Sequence, residues 1–96
     1  MSTFISLVNF TEQGIKNVKD SPARAKAFTE MAKKLDVTVK AIYWTVGAYD
    51  IVVVTEGSDE AVTTALLAVG SAGNVRTQTL RAFDADGMRK ILESMP

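Results

Sequence analysis

Hydrophobic positions along the chain alternate between the period of a strand and the period of a helix. Thr3 to Phe10 places Phe4, Ile5, Leu7, Val8 and Phe10 among small polar residues. Both faces of an extended segment are then apolar, which predicts a strand covered on two sides and therefore central. Thr11 to Asp20 is polar with an embedded Gly14. It is long against a usual connection of about 4–6 residues, and Ile15 with Val18 suggests one helical turn inside it. Ser21-Pro22 opens a helix, with Ser21 as cap and Pro22 where a missing N–H costs nothing. Ala25, Phe28, Ala32 and Leu35 form its apolar stripe, and Lys33 and Lys34 suit its C-terminal pole.

Val37 to Val46 and Tyr49 to Glu56 read as two strands joined at Gly47-Ala48. A two-residue Gly-X loop fits a type II′ hairpin, in which the first loop residue needs a positive φ. With Val46 facing Tyr49, Thr45 opposes Asp50, Trp44 opposes Ile51, Tyr43 opposes Val52 and Ile42 opposes Val53. One face then carries Ile42, Trp44, Val46, Tyr49, Ile51 and Val53. The other carries Val39, Ala41, Tyr43, Val52 and Val54, with Thr45 and Asp50 at its tip. Ser58-Asp59-Glu60 starts a helix with a hydroxyl cap and an acidic first turn. Its buried stripe is Val62, Ala65, Leu66 and Val69, ended by Gly70 and Gly73. Val75 to Phe83 is a fourth strand, and Asp84 to Met95 a short helix with Met88, Ile91, Leu92 and Met95 on one side.

Strand–helix–strand–strand–helix–strand predicts an α+β, ferredoxin-like βαββαβ sandwich with a short C-terminal helix, one domain over residues 1–96. Helices cover one sheet face only. Leaving an apolar hairpin face in water forgoes several kcal/mol, at about 25 cal/mol per Å², and invites association. A homodimer or larger homo-oligomer through the open face follows, in the manner of the dimeric α/β barrel; the pattern leaves open which hairpin face is used. Right-handed crossovers also gather the loop after strand one, the Gly47-Ala48 hairpin and the turn before strand four at one end.

Composition narrows the chemistry. The 96 residues are 47% hydrophobic and carry eleven basic and eleven acidic side chains. Balanced charge gives no electrostatic reason to bind nucleic acid. With neither cysteine nor histidine, thiolate chemistry, the commonest metal ligand and the commonest general base are missing. No metal and no cofactor are expected. Apolar runs such as Ile51 to Val54 fall far short of the roughly 20 residues of a membrane span. Met1 to Phe10 lacks the basic start of a secretion signal, so a cytoplasmic location without membrane contact is expected.

Three motifs carry a family resemblance: Thr11-Glu12-Gln13-Gly14-Ile15-Lys16 with Lys19-Asp20-Ser21-Pro22; Gly47-Ala48-Tyr49-Asp50; and Gly73-Asn74-Val75-Arg76-Thr77 leading to Leu80-Arg81-Ala82-Phe83. In that order, and across almost the whole chain, they resemble the GYD domain family. The resemblance implies a ferredoxin-like fold of dimeric α/β-barrel type. It marks Gly47, Tyr49 and Asp50 without giving them a role.

The candidate site is the hairpin end. Asp50 stands alone among apolar neighbours, as a structural acceptor for Thr45, backbone amides or Arg76, or as a base whose pKa burial would raise. Lys16, Lys19 and Arg76, near the amides at Ser21 and beside Asn74, could cradle an anion. Tyr43 and Tyr49 are interface aromatics or substrate platforms. Arg81 is expected to pair with Asp84 or Asp86. The resulting expectation is an oligomeric ligand-binding or regulatory protein, with an anionic or aromatic metabolite between sheet and helices at the hairpin end. The alternative is a cofactor-free barrel enzyme, monooxygenase- or isomerase-like, with Asp50 as base. A purely structural assembly subunit is a third reading.

Overall fold

In the computed structural model, which describes residues 1–96, the chain runs β1 (Ser2–Phe10), α1 (Glu12–Lys16), a 3-10 turn (Val18–Asp20), α2 (Ser21–Lys34), β2 (Thr38–Trp44), β3 (Ile51–Gly57), α3 (Asp59–Ser71), β4 (Val75–Ala82) and α4 (Ala85–Glu93). The strands form one antiparallel sheet in the order β2-β3-β1-β4, the ferredoxin-like arrangement. β1 lies inside the sheet between β3 and β4, the central place expected of it, although helices cover only one of its two apolar faces. Hydroxyl and carboxylate caps start three helices: Thr11 accepts from the Gly14 N–H, Ser58 from Ala61 and Asp84 from Gly87.

α2 and α3 cover one face of the sheet. Val8, Ile51 and Val53 form one buried cluster there, joined by Phe10, Phe28, Ile42 and Val75. Ala32, Val37 and Val62 form a second, joined by Phe4, Leu35 and Leu66. The opposite face has no cover, and alternation along each strand places Ile5, Leu7, Val52, Val54, Tyr43 and Leu80 on it. The choice between hairpin faces is thus resolved: Ile42, Ile51 and Val53 go to the helices, Tyr43 and Val52 to the open side.

Two details differ from the expected hairpin. Its register holds from Ile42↔Val53 to Trp44↔Ile51, but the pairing shifts between Val39 and Ala41. Lys40 is the extra residue, a β-bulge, and the slip of one turns Val39 to the helix side, where it packs on both core clusters. The turn is also wider than two residues. Asp50 donates its N–H to the Val8 carbonyl (2.8 Å) instead of across the hairpin. Thr45 closes the loop from its side, N–H to the Asp50 carbonyl (2.8 Å) and Oγ1 to the Tyr49 carbonyl (2.5 Å). Val46 to Tyr49 therefore form an open tip, with Gly47 at φ 146° and Val46 fully exposed.

Two further expectations are corrected. Ser21 does not cap α2: the 3-10 turn runs straight into the helix, the Ser21 N–H donates to the Val18 carbonyl, and the N-cap position falls to Asp20, which makes no side-chain cap bond. Arg81 pairs with neither acid. It donates to the Thr3 and Ala82 carbonyls, and its guanidinium lies 4.3 Å from the centre of the Phe83 ring. Asp84 is occupied as the cap of α4 and Asp86 pairs with Arg89 at 2.8 Å.

α4 makes no extensive contact with the sheet or the other helices, and the molecule measures 51 × 31 × 18 Å. Met88, Ile91, Leu92 and Met95 are 41–64% exposed. No helix is long and apolar enough to cross a membrane.

α2 ends in a Schellman motif: Val37 N–H reaches the Ala32 carbonyl (2.9 Å) and Asp36 N–H the Lys33 carbonyl (3.1 Å). The left-handed position is Asp36, at φ 61°, exposed and without a side-chain hydrogen bond. Glycine removes the Cβ penalty there, so Asp36→Gly is expected to raise stability by about 0.5–1 kcal/mol. Urea unfolding measures it, and a loss of stability would show that the aspartate contributes something beyond its backbone.

Candidate functional site

A cavity of about 400 Å³ opens between α2, α3 and the covered sheet face, at the hairpin end. Its floor is Val8, Ile51, Val53 and Ile42; Phe28 and Met31 wall it from α2, Leu66 and Val69 from α3. The space exists because the residues facing it from the helices are often small: Ala25 and Ala27 on α2, Ala68 on α3, and Ala72 just after it. Fourteen of its nineteen lining residues are hydrophobic, and Arg24 is the one charged residue among them. Trp44 fixes one side by donating Nε1–H to Ser21 Oγ (2.9 Å), which holds the start of α2 over the end of β2. Ser21 is only 4% exposed.

Beside this cavity lies a corner of dense polar contacts at the end of β1. Thr11 donates its N–H to the Asn74 carbonyl (3.0 Å) and its hydroxyl to the Gly73 carbonyl (2.6 Å). Gln13 Nε2 reaches Asn74 Oδ1 (2.9 Å). Gly14 presses against the same turn so closely that a Cβ would stand 1.9 Å from the Asn74 carbonyl oxygen. Arg24 secures the other end of α1, with Nη1 on the Asn17 carbonyl (2.9 Å) and Nη2 on that of Gly14 (3.4 Å). On the other side of β1, Asp50 Oδ2 accepts the Phe10 N–H at 2.8 Å. The carboxylate takes the place of a ladder bond just before β3 begins.

Of the residues singled out in the sequence, only Ser21 and Asn74 line the cavity. Lys16 is exposed and pairs with Glu12 at 3.4 Å, and Lys19 is exposed in the 3-10 turn. Tyr43 is 64% exposed on the open sheet face. Tyr49 reaches across to Gln78 Oε1 at 3.4 Å. Arg76 has no carboxylate within ion-pair distance and borders a separate, polar depression with Asn9 and Gln78. No hydrogen bond or ion pair joins Asp50 to Lys16, Lys19 or Arg76. The anion cradle expected at Ser21 is not assembled, because the 3-10 turn uses that helix entrance and Trp44 takes the hydroxyl. No group of three or more acidic side chains is placed to hold a metal ion.

Arg24 was the residue hidden in the sequence. Its signal was position: Ser21, Arg24, Ala25 and Phe28 follow the spacing of one helix face, so an arginine stands inside an apolar stripe.

The corner yields a direct test. Gly14→Ala forces a methyl into a backbone carbonyl that the Thr11 bonds hold in place. A loss of about 2–3 kcal/mol in chemical denaturation is expected; unchanged stability would mean that the two loops part freely.

Comparison with known proteins agrees with this geometry. A curated relative from Thermus thermophilus, named glutamine synthetase and cystathionine beta-lyase binding protein, is 39% identical over 85 residues, covering 86% of this chain and 90% of that one. The crystal structure of TTHA0845, also from Thermus thermophilus, matches with a TM-score of 0.52 and 28% identity over 88% of this chain and 96% of that one. A feast or famine regulatory protein from M. tuberculosis, solved in complex with L-methionine, matches in fold with a TM-score of 0.65 at 19% identity. The likeness covers 88% of this chain and 52% of that one, so the chain spans about half the length of the M. tuberculosis protein. The family model of the GYD domain matches residues 4–92. Together with the clasp of Thr11, Gly14 and Asn74 and the Asp50 bond to β1, this match establishes that the chain belongs to the GYD domain family.

Proposed function

We propose that this chain works by association. Two copies close on one another through the open sheet face, and the pair presents α4 to metabolic enzymes. The observation that carries the reading is the open face itself, where Ile5, Leu7, Val52, Val54 and Leu80 lie together without a covering layer. Each such side chain removed from water contributes about 1.5–3 kcal/mol. An identical face is the simplest partner, because a two-fold axis makes every apolar contact twice.

The enzymes are suggested by the relative that is named for binding glutamine synthetase and cystathionine beta-lyase. α4 suits such a contact: an amphipathic helix with anchors at Met88, Ile91 and Leu92, followed directly by Met95, is the usual occupant of an apolar groove. A small molecule held at the hairpin end belongs to the same reading, as a regulator of the association. Base catalysis at Asp50 has less support. Its carboxylate is engaged by the Phe10 N–H, and it does not line the cavity.

Light scattering is expected to find a dimer. Val52→Lys, which buries a charge at the centre of the joined faces, is expected to weaken it at least about a hundredfold while leaving the circular dichroism spectrum unchanged. A monomeric wild-type chain would overturn the reading. In titrations with purified glutamine synthetase and cystathionine beta-lyase, at least one is expected to bind. Ile91→Glu is expected to weaken that binding at least about tenfold without altering the dimer, and an unaltered affinity would remove α4 from the contact.

A further inference from the structure

We propose that the cavity beneath α2 and α3 binds a small amphipathic monocarboxylate, with its apolar body against Val8, Phe28, Ile51 and Val69 and its carboxylate on Arg24. This deepens the reading of a regulated binding protein by naming the class of the regulator. It concerns the helix-covered side of the sheet, opposite the dimer face.

Size, wall chemistry and charge each point the same way. At about 30 Å³ for each water-sized group, 400 Å³ holds on the order of a dozen non-hydrogen atoms. The hydrophobic lining desolvates an alkyl or aromatic body well and a sugar or nucleotide poorly. Ser6 and Ser21 offer little to a polar ligand, since Ser6 Oγ is bonded to Thr79 Oγ1 (2.9 Å) and Ser21 Oγ to Trp44.

Arg24 is different. It is half-buried, no carboxylate lies within ion-pair distance of it, and its two hydrogen bonds go to neutral carbonyls. A guanidinium has five N–H donors, so donors remain for a ligand. A half-buried positive charge without a counter-ion, on the rim of an apolar space, favours an anion that brings its own apolar body. One cation matches one negative charge, which selects a carboxylate over a phosphate dianion. Ala27 on α2 and Ala68 on α3 both line the space and are exposed to solvent, so access needs no opening of the core.

The test is calorimetric titration of the purified chain with decanoate and with 4-phenylbutyrate, each a dozen non-hydrogen atoms, beside their primary amides. At least one acid is expected to bind with one molecule per chain. Decanoate alone would identify an alkyl body, 4-phenylbutyrate alone an aromatic one. The matching amide is expected to bind at least about tenfold more weakly, and Arg24→Met to weaken the acid by a similar factor, with Arg24→Lys between. The rim variant Ala27→Trp/Ala68→Trp is expected to abolish binding of the acid. Because Arg24 also holds the carbonyls of Gly14 and Asn17, circular dichroism checks the fold of each variant. Should Arg24→Met unfold, Arg24→Lys, the amides and the rim variant decide. No binding of either acid at about 1 mM, equal binding of acid and amide, or binding that survives the rim variant would overturn the proposal. None of these results bears on whether the chain dimerises or contacts an enzyme, which are measured without ligand.

Discussion

A four-stranded sheet with helices on one side has two faces and only one cover, and most of this molecule follows from that inequality. The strands could have met it with a polar outer face, as many antiparallel sheets do. Here they do not: Ile5 and Leu7 on β1, Val52 and Val54 on β3, and Leu80 on β4 all turn outward. Even the covered face is not completely filled. α2 and α3 approach it with alanines as well as large side chains, and the gap between them is the cavity. The molecule thus combines an apolar surface that asks for a protein partner with an apolar interior that has room left in it.

The residues that mark the family gather where β1 ends, and their geometry accounts for most of them without a ligand. β1 has neighbours on both sides, so its terminal backbone groups need partners in two directions. Asp50 supplies one from the hairpin through the Phe10 N–H. The turn at Gly73 and Asn74 supplies the other through Thr11. Gly14 is glycine because a carbonyl occupies the place of its Cβ, and Gly47 and Gly73 because their φ angles are positive. The motif is the joinery of one corner, and the cavity lies beside it.

The sheet was legible in the sequence wherever period and turn chemistry agreed. Apolar residues at both odd and even positions of Thr3 to Phe10 placed β1 at the centre, and counting back from Gly47 gave the pairs from Ile42 to Trp44 correctly. Counting fails where a residue is inserted, and nothing in Val39-Lys40-Ala41 announces the bulge that turns Val39 inward. The wider tip was hidden for a related reason: it depends on Asp50 turning to β1, a contact 40 residues away in the chain. The candidate site was legible as a region but not as a chemistry. Polar residues do converge at the hairpin end, yet most are spent on one another or face solvent. A cavity is the absence of side chains, and alanines in a helical stripe read in a sequence as ordinary packing.

The central place of β1 also has a consequence for how the chain is made. It is synthesised before the other three strands, yet one of its two partners is β4, and the hydroxyls of Ser6 and Thr79 that meet across that pair are 73 residues apart. At roughly 5–20 residues per second, several seconds pass between the two strands leaving the ribosome. Throughout that time an apolar strand stands with at least one edge open, and closing it requires a long-range contact. Synthesis of this fold thus carries an interval with an unpaired, aggregation-prone edge, and the step that ends it is the arrival of β4.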